Sequence, residues 1–357
     1  MISDPLRKEF RRRLLSWFDE HARDLPWRRT KDPYAIWVSE IMLQQTRVAA
    51  VLDHYDRFMR RYPTVQALAV AAEDDVLAIW SGLGYYRRAR MMHRAAKVVA
   101  DEMGGSFPET ADALRKLPGI GEYTSAAIAS IAFSDAAAAV DGNVERVLMR
   151  VLGWDETNAP ISRIREAAAD VLAASRPGDF NQAMMELGAT TCLPRGPLCP
   201  QCPVQQQCTT RGEHATGERQ KMTTKQAAYA FVQRVSKHGD VEVLLVQRDK
   251  GASLMPGMWE LPAIDLAAGD ESRRLLAVRH SITVTNYHVS VYGCEANDVS
   301  GLHGGGEVRR WVAIAELAEI PLTGLARKVL KKLKVLPPAA AWKPAGVDRL
   351  ELDVVRS

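Results

Sequence analysis

At 357 residues, 47% apolar and 25% charged, the chain has material for two globular cores rather than one. The formal net charge of +4 is too small to draw in a polyanion. Residues 1–224 carry 29 Lys+Arg against 28 Asp+Glu, so any nucleic acid there must be held by local geometry. No stretch approaches the roughly 20 uninterrupted apolar residues of a membrane span, and the opening MISDPLRKEFRRRL lacks the apolar core of a secretory signal. A soluble protein of a reducing, cytoplasmic compartment is expected.

From Pro5 to about Ser134 the apolar residues recur at helical spacing. The stretch DPYAIWVSEIMLQQTRV, residues 32–48, reads as one helix with Asp32 as N-cap and Pro33 at its first position. Glu40 follows Ile36 and Trp37 by one turn and precedes Leu43 by another. A carboxyl on such an apolar stripe is desolvated, which raises its pKa toward that of a useful general acid. A second helix start stands at Pro108–Thr110.

In KLPGIGEYTSAA, residues 116–127, Gly119 and Gly121 leave backbone N–H groups bare at the mouth of a helix beginning near Tyr123. That arrangement suits an anion, and the missing Gly-Lys-Ser/Thr separates it from a mononucleotide loop. A phosphate of a nucleic-acid backbone fits. Asp141, in AAAAVDGNVERVLMRV, ends an apolar run and opens a helix, where N–H groups favour its anion. One protonated acid and one carboxylate across a cleft can split a glycosidic bond. The helical pattern continues over 143–152 and 161–175.

Four of the five cysteines, Cys192, Cys199, Cys202 and Cys208, form C-x6-C-x2-C-x5-C within seventeen residues, with Pro194, Pro197, Pro200 and Pro203 interleaved. Tetrahedral zinc and an iron–sulfur cube both remain open on spacing, the uneven loop leaning toward the larger core. Residues 209–225 are polar and read as a linker. Short β-type runs follow, AYAFVQRV, VEVLLVQR, ITVTNYHVSVYG and EVRRWV, and then a Pro/Ala-rich tail.

Six stretches carry a family resemblance: LPWR at 25–28, WVSEIMLQQTRV at 37–48, GLGYYRRAR at 82–90, LPGIGEYT at 117–124, VDGNVERVL at 140–148 and FNQAMMELGATTC at 180–192. The chain resembles the endonuclease III superfamily of DNA glycosylases and, within it, the adenine glycosylase (MutY) family. The resemblance implies an all-α helix-hairpin-helix glycosylase module with an iron–sulfur cluster loop, followed by an α+β Nudix-like domain. Residues 1–210 would be the glycosylase domain, with a six-helix barrel over about 25–135. The N-terminal helix and 136–210 would form the iron–sulfur subdomain. A linker at 211–225, a lesion-recognition domain at 226–340 and a flexible tail at 341–357 would complete the chain.

The same resemblance implies a [4Fe-4S] cluster on the four cysteines. It makes Glu40 the acid that protonates adenine and Asp141 the group that stabilises the sugar cation, with Tyr123 and Asn143 orienting Asp141. Trp27, Arg28, Leu43 and Gln182 would line the adenine pocket, Gln45 and Tyr85 would be wedges filling the emptied stack, and Gly119 and Gly121 would meet the DNA backbone. Tyr123 stands where bifunctional relatives carry a lysine, and a phenol forms no imine with a sugar. A monofunctional enzyme is therefore expected, acting as a monomer on double-stranded DNA with A:8-oxoguanine or A:G mispairs, near the nucleoid. The C-terminal VEVLLVQRDKGASLMPGMWELPA resembles a Nudix-like domain, but the Nudix hydrolase box is absent. Where many relatives carry Phe-Ser-His, this chain has Asn286-Tyr287-His288, leaving Tyr287 and His288 as the candidate readers of the oxidised guanine. The alternatives are a bifunctional endonuclease III type enzyme and a non-catalytic iron–sulfur DNA-binding protein. Tyr123 argues against the first, and paired Glu40 and Asp141 against the second.

Overall fold

The computed structural model describes residues 3–155, 159–213, 222–265, 270–296 and 308–337. The expected tail and residues 214–221 of the expected linker lie outside them. The chain divides into two compact units, one running to Val76 and again from Tyr85, the other taking Leu77–Gly84 and everything from Met222 on.

The first unit is helical. In chain order come α1 (Asp4–His21), a 3₁₀ turn (Pro26–Arg28), α2 (Pro33–Leu43), α3 (Val48–Arg61), α4 (Val65–Ala69) and α5 (Glu73–Trp80), which runs on past the unit's edge. Then follow α6 (Arg87–Glu102), α7 (Ala111–Leu114), α8 (Glu122–Phe133), α9 (Gly142–Leu152), α10 (Ile161–Val171) and α11 (Pro177–Thr190). The helix starts expected at Asp32 and Thr110 are capped as their side chains predict. Asp32 accepts from the amides of Tyr34 and Ala35 at 3.1 and 3.3 Å, and Thr110 from that of Ala113 at 3.3 Å.

On α1, Phe10, Leu14 and Phe18 form one stripe at i, i+4, i+8 and pack with Val147, Leu148, Ile164 and Leu187. Phe10 and Phe180 meet at 6.3 Å between ring centres. Helices α2 and α8 are different: every residue from Tyr34 to Met42 and from Thr124 to Ile131 is buried. A helix apolar all round is a central one, and these two bring Glu40 and Tyr123 into the interior.

Two helices end earlier than their sequence pattern. α10 stops at Val171 rather than 175. The segment 32–48 is not one helix: α2 ends at Leu43, Gln45 takes φ +57°, and α3 begins at Val48. The reason is tertiary. The Arg88 guanidinium donates to the carbonyls of Ile41, Met42 and Gln44 at 2.6, 3.2 and 2.5 Å, satisfying the helix end from outside.

The second unit is built on a mixed seven-stranded sheet: β1 (Thr223–Val235), β2 (Val241–Gln247), β3 (Trp259–Glu260), β4 (Ala263–Ile264), β5 (Arg274–Ile282), β6 (Thr285–Cys294) and β7 (Arg309–Ala313). The order β3-β2-β1-β6-β5 has β4 added on β1 and β7 on β2. β1 runs parallel to β6 from Thr223↔Thr285 to Val232↔Cys294, and so begins inside the stretch read as linker. The run ITVTNYHVSVYG is split: Thr283 takes φ +50°, and Ile282 pairs with Thr285 across a two-residue hairpin. The strand before that turn, β5, is one the sequence pattern did not suggest. Phe231, Val243, Leu245, Val289 and Val291 pack against Val329 and Leu330 of α12 (Gly324–Lys332).

Between α7 and α8 the hairpin turns at Gly119, where φ is +74° and an added Cβ would lie 2.4 Å from Met91 Cβ. Gly121, the N-cap of α8, has φ −89° and open space beside it. Gly119→Ala is therefore expected to lose about 1–3 kcal/mol of stability, and Gly121→Ala under about 1 kcal/mol. Urea midpoints compare the two; equal losses would mean that steric fit does not fix the hairpin.

Candidate active site

Helices α2, α8, α9 and α11 meet around a cleft of about 1140 Å³. Eleven of the residues singled out from sequence line it: Trp27, Arg28, Glu40, Leu43, Gln45, Gly119, Gly121, Tyr123, Asp141, Asn143 and Gln182. Tyr85 is 52% exposed and lies outside the lining. Tyr287 and His288 belong to the second unit, on β6, where they pair with Lys225 and Gln226 of β1.

Glu40 is 5% exposed. The Tyr123 hydroxyl donates to its Oε2 at 2.6 Å and lies 3.1 Å from Met185 Sδ. Burial pushes the Glu40 carboxyl up to about 7; the Tyr123 bond pulls the other way, and the Asp141 charge adds to the rise. The phenol is half-buried and held well above its ordinary value, first by desolvation and then by the Glu40 and Asp141 charges, so it is a neutral donor. The expected role of Tyr123 in orienting Asp141 is not what the hydrogen bonds show. A buried carboxyl needs a donor, and Tyr123 supplies it to Glu40.

Asp141 caps α9 as its position suggested. Its Oδ1 accepts from the amides of Asn143 and Val144 at 2.9 and 2.8 Å, and its Oδ2 from Asn143 Nδ2 at 2.8 Å. Asn143 is held in turn: Arg146 Nη2 donates to its Oδ1 at 2.9 Å and to the Gly188 carbonyl at 2.8 Å, while Arg146 Nε donates to the Cys192 carbonyl at 2.9 Å. A Cβ on Gly188 would come within 2.5 Å of Asn143 Cβ, so glycine lets α11 close on α9 there.

Sequence reasoning missed Glu186 and Arg23. Glu186 is 1% exposed and lines the cleft. Arg23 donates to both its oxygens at 2.6 Å, and Arg28 Nη2 to its Oε2 at 2.8 Å. Burial alone would raise its pKa, but the two guanidiniums hold it at about 2. Arg28, expected to face the base, also gives Nη1 to the Arg23 carbonyl at 3.0 Å. The signal was available: Glu186 is four residues after Gln182 and on the same helix face. Nothing near Arg23 in the chain marks it. Trp27 is buried, edge-on to Tyr55 at 5.2 Å, and still forms a wall of the cleft.

Residues 38–172 match the family model of the HhH-GPD superfamily base excision DNA repair protein. The chain is 41% identical to the adenine DNA glycosylase of Rattus norvegicus over 72% of its own length and 60% of that protein's. To the adenine DNA glycosylase of Schizosaccharomyces pombe it is 30% identical, over 74% of this chain and 71% of that one. The chain belongs to the adenine DNA glycosylase family. It spans about three fifths of the rat relative's length. A solved thermostable thymine-DNA glycosylase superposes with a TM-score of 0.55 at 32% identity, covering 58% of this chain and 97% of that one. The helical glycosylase fold is thus common to both.

In this family member the four cysteines line one small cavity together with Arg150 and Arg211. Arg150 Nη1 donates to Cys192 Sγ at 3.4 Å, and the Arg211 amide to Cys208 Sγ at 3.5 Å. Burial, with the neighbouring cysteines adding to it, pushes the Cys199 and Cys202 thiols up, Cys202 to about 11. Four thiolates so close need a compensating cation. Among the described residues no group of three His, Cys, Asp or Glu side chains is placed to hold a metal ion.

The raised Glu40 pKa has a consequence for stability. Its folded value is above the unfolded one, so its contribution is complete below the unfolded pKa and is lost as pH rises through about 7. Glu40→Gln, which cannot ionise, should therefore melt higher than the parent at pH 8 and within a degree or two of it at pH 4. A parent whose advantage grows toward alkaline pH would contradict the assigned direction.

Proposed function

We propose that this chain excises adenine from DNA, cleaving the N-glycosidic bond by a retaining route without cutting the strand. The observation that carries the reading is a buried acid and a capped carboxylate facing one cleft, Glu40 with its pKa near 7 and Asp141 held by three N–H donors. Protonated Glu40 gives its proton to a ring nitrogen of the flipped adenine. The C1′–N9 bond breaks with both electrons going to the base, leaving positive charge on the sugar. Asp141 stabilises that charge through a transient covalent bond to C1′. A water then attacks C1′ while ionised Glu40 takes its proton, and the Asp141–C1′ bond breaks with its electrons returning to the carboxylate, leaving the abasic site. The Tyr123 hydroxyl holds Glu40 in place at 2.6 Å. Trp27, Gln182 and Glu186 with Arg23 and Arg28 line the space for the base, and Gly119 and Gly121 offer amides to the backbone phosphate.

The cysteine loop is read as the seat of a [4Fe-4S] cluster. It fits the donor set: four thiols around one cavity, with N–H groups aimed at two of the sulfurs. When bound, such a cluster supplies the cationic charge that lets four thiolates coexist. No step of the excision passes through it. Four reduced thiols suit a reducing compartment, which is proposed for this chain. No helix among the described residues is long and apolar enough to cross a membrane.

Glu40→Gln should slow adenine release from an A:8-oxoguanine duplex by on the order of 10²–10⁴-fold while duplex binding holds. The parent's rate should fall as pH climbs through about 7, where the acid loses its proton. The abasic strand should break only after alkali or heat, and borohydride should trap no protein–DNA adduct. Excision within a few-fold of the parent sinks the acid assignment; an adduct sinks the monofunctional one.

We also read the second unit as the reader of the base opposite adenine. Near the tip of its β5–β6 hairpin the Ser281 hydroxyl donates to Asn286 Oδ1 at 2.6 Å, which sets a hydroxyl and an amide on the face of β6 that His288 shares, while Tyr287 packs against the core on the other face. A hydroxyl oxygen there can accept the N7–H that distinguishes 8-oxoguanine from guanine. The full chain should prefer A:8-oxoguanine over A:G more strongly than a truncation ending near Met222. Equal preferences in the two would move discrimination to the helical unit.

A further inference from the structure

The break between α2 and α3 and the turn before α6 share an uncommon backbone feature. Gln45 has φ +57° and Tyr85 φ +47°, both left-handed and neither glycine. These are the two residues read above as wedges, and the side chain between them is Arg88. It sits in the first turn of α6, where a cation opposes the helix dipole. It turns away from that end and covers the carbonyl end of α2 instead, the favourable end for a cation. Nη1 reaches the carbonyls of Ile41, Met42 and Gln44 at 2.6, 3.2 and 2.5 Å. Nη2 lies 3.4 Å from Thr46 Oγ1, so contacts flank Gln45 on both sides. The guanidinium carbon lies 5.6 Å from the centre of the Tyr85 ring, and the Arg88 amide donates to the Tyr85 carbonyl at 2.8 Å. Gln44 Nε2 also reaches Thr124 Oγ1 on α8 at 3.1 Å.

We propose that Arg88 is the positioning residue for base extrusion, fixing the Gln45 and Tyr85 turns in register with each other and with the helix that carries Glu40. This rests on the wedge reading of those two residues. The planar guanidinium holds the helix-end carbonyls through Nη1 and reaches Thr46 through Nη2 while its face lies against a ring, whereas a lysine ammonium is a single point that cannot make all three at once. Arg88→Lys therefore keeps the charge and loses the register. The wedges then enter the stack out of phase with the acid, and the target base spends less time in the cleft.

The test uses the full chain and duplexes carrying 2-aminopurine at the target position, whose fluorescence rises on unstacking, beside single-turnover excision of adenine. Arg88→Lys should reduce both the fluorescence rise and excision by about tenfold or more, while Arg87→Lys, its exposed neighbour, stays within about twofold. With adenine opposite an abasic site, where extrusion is easier, the excision defect should shrink severalfold. The pH profile should be unchanged, since Glu40 keeps its surroundings. A parental fluorescence response in Arg88→Lys, an equal defect on both duplexes, or a shifted pH profile would overturn the proposal. Should Arg88→Lys not fold, Thr46→Val removes the outermost Arg88 contact together with the Thr46 hydroxyl's bond to the Gln44 carbonyl, and a fluorescence response identical to the parent's overturns it. Gln45→Ala and Tyr85→Ala test the reading beneath: if both leave the fluorescence response intact, the wedges themselves are misassigned, whatever Arg88 does.

Discussion

A carboxyl that must carry a proton near neutral pH has to be taken out of water, and whatever removes the water must also supply a hydrogen-bond partner. Glu40 meets the first condition because α2 is buried on every side, and the second because α8 crosses close enough for the Tyr123 hydroxyl to reach it at 2.6 Å. The two effects oppose each other: burial raises the acid's pKa, the hydrogen bond lowers it, and burial wins. The hairpin before α8 is part of the same constraint. Gly119 lets that turn sit on Met91, which sets where α8 begins and therefore where Tyr123 stands.

Asp141 is arranged by opposite means. It stands at the start of α9, with three N–H donors on its two oxygens, in a place that suits an anion. The side-chain donor depends on Asn143, which depends on Arg146, which also donates to the carbonyls of Gly142, Gly188 and Cys192. The cysteine loop therefore bears on the carboxylate through two side chains. Displacing the Cys192 carbonyl would loosen Arg146 and, through it, the side chain that fixes Asp141 Oδ2. The cysteines are far from the chemistry in sequence and two side chains from it in hydrogen bonds.

What could be read from sequence follows from how local each cause is. Asp32, Thr110 and Asp141 announce their helices because a cap acts within three residues. Glu40 is legible because its neighbours on the helix are what bury it. The end of α2 is not, since residues 41–48 carry a helical pattern and the group that stops them is Arg88, some forty residues away. The partner of Tyr123 and the Arg23 and Arg28 clamp on Glu186 are decided by contacts between distant segments. Helix content and the acid pair are local and were visible; the connections among them are not local.

The residue type at position 123 follows from this electrostatics. The hydroxyl there lies against Glu40, and the charges of Glu40 and Asp141 both act on it. A phenol answers that field by staying neutral. An amine would answer it by taking a proton, since two carboxyl groups nearby favour a cation. A cation 2–3 Å from Glu40 would in turn hold that carboxyl ionised and remove its proton from the pH range in which the acid is needed. An amine at this position would therefore disfavour a protonated Glu40 beside it. Tyr123 does more than lack lyase chemistry: its neutrality is what allows burial to decide the pKa of Glu40.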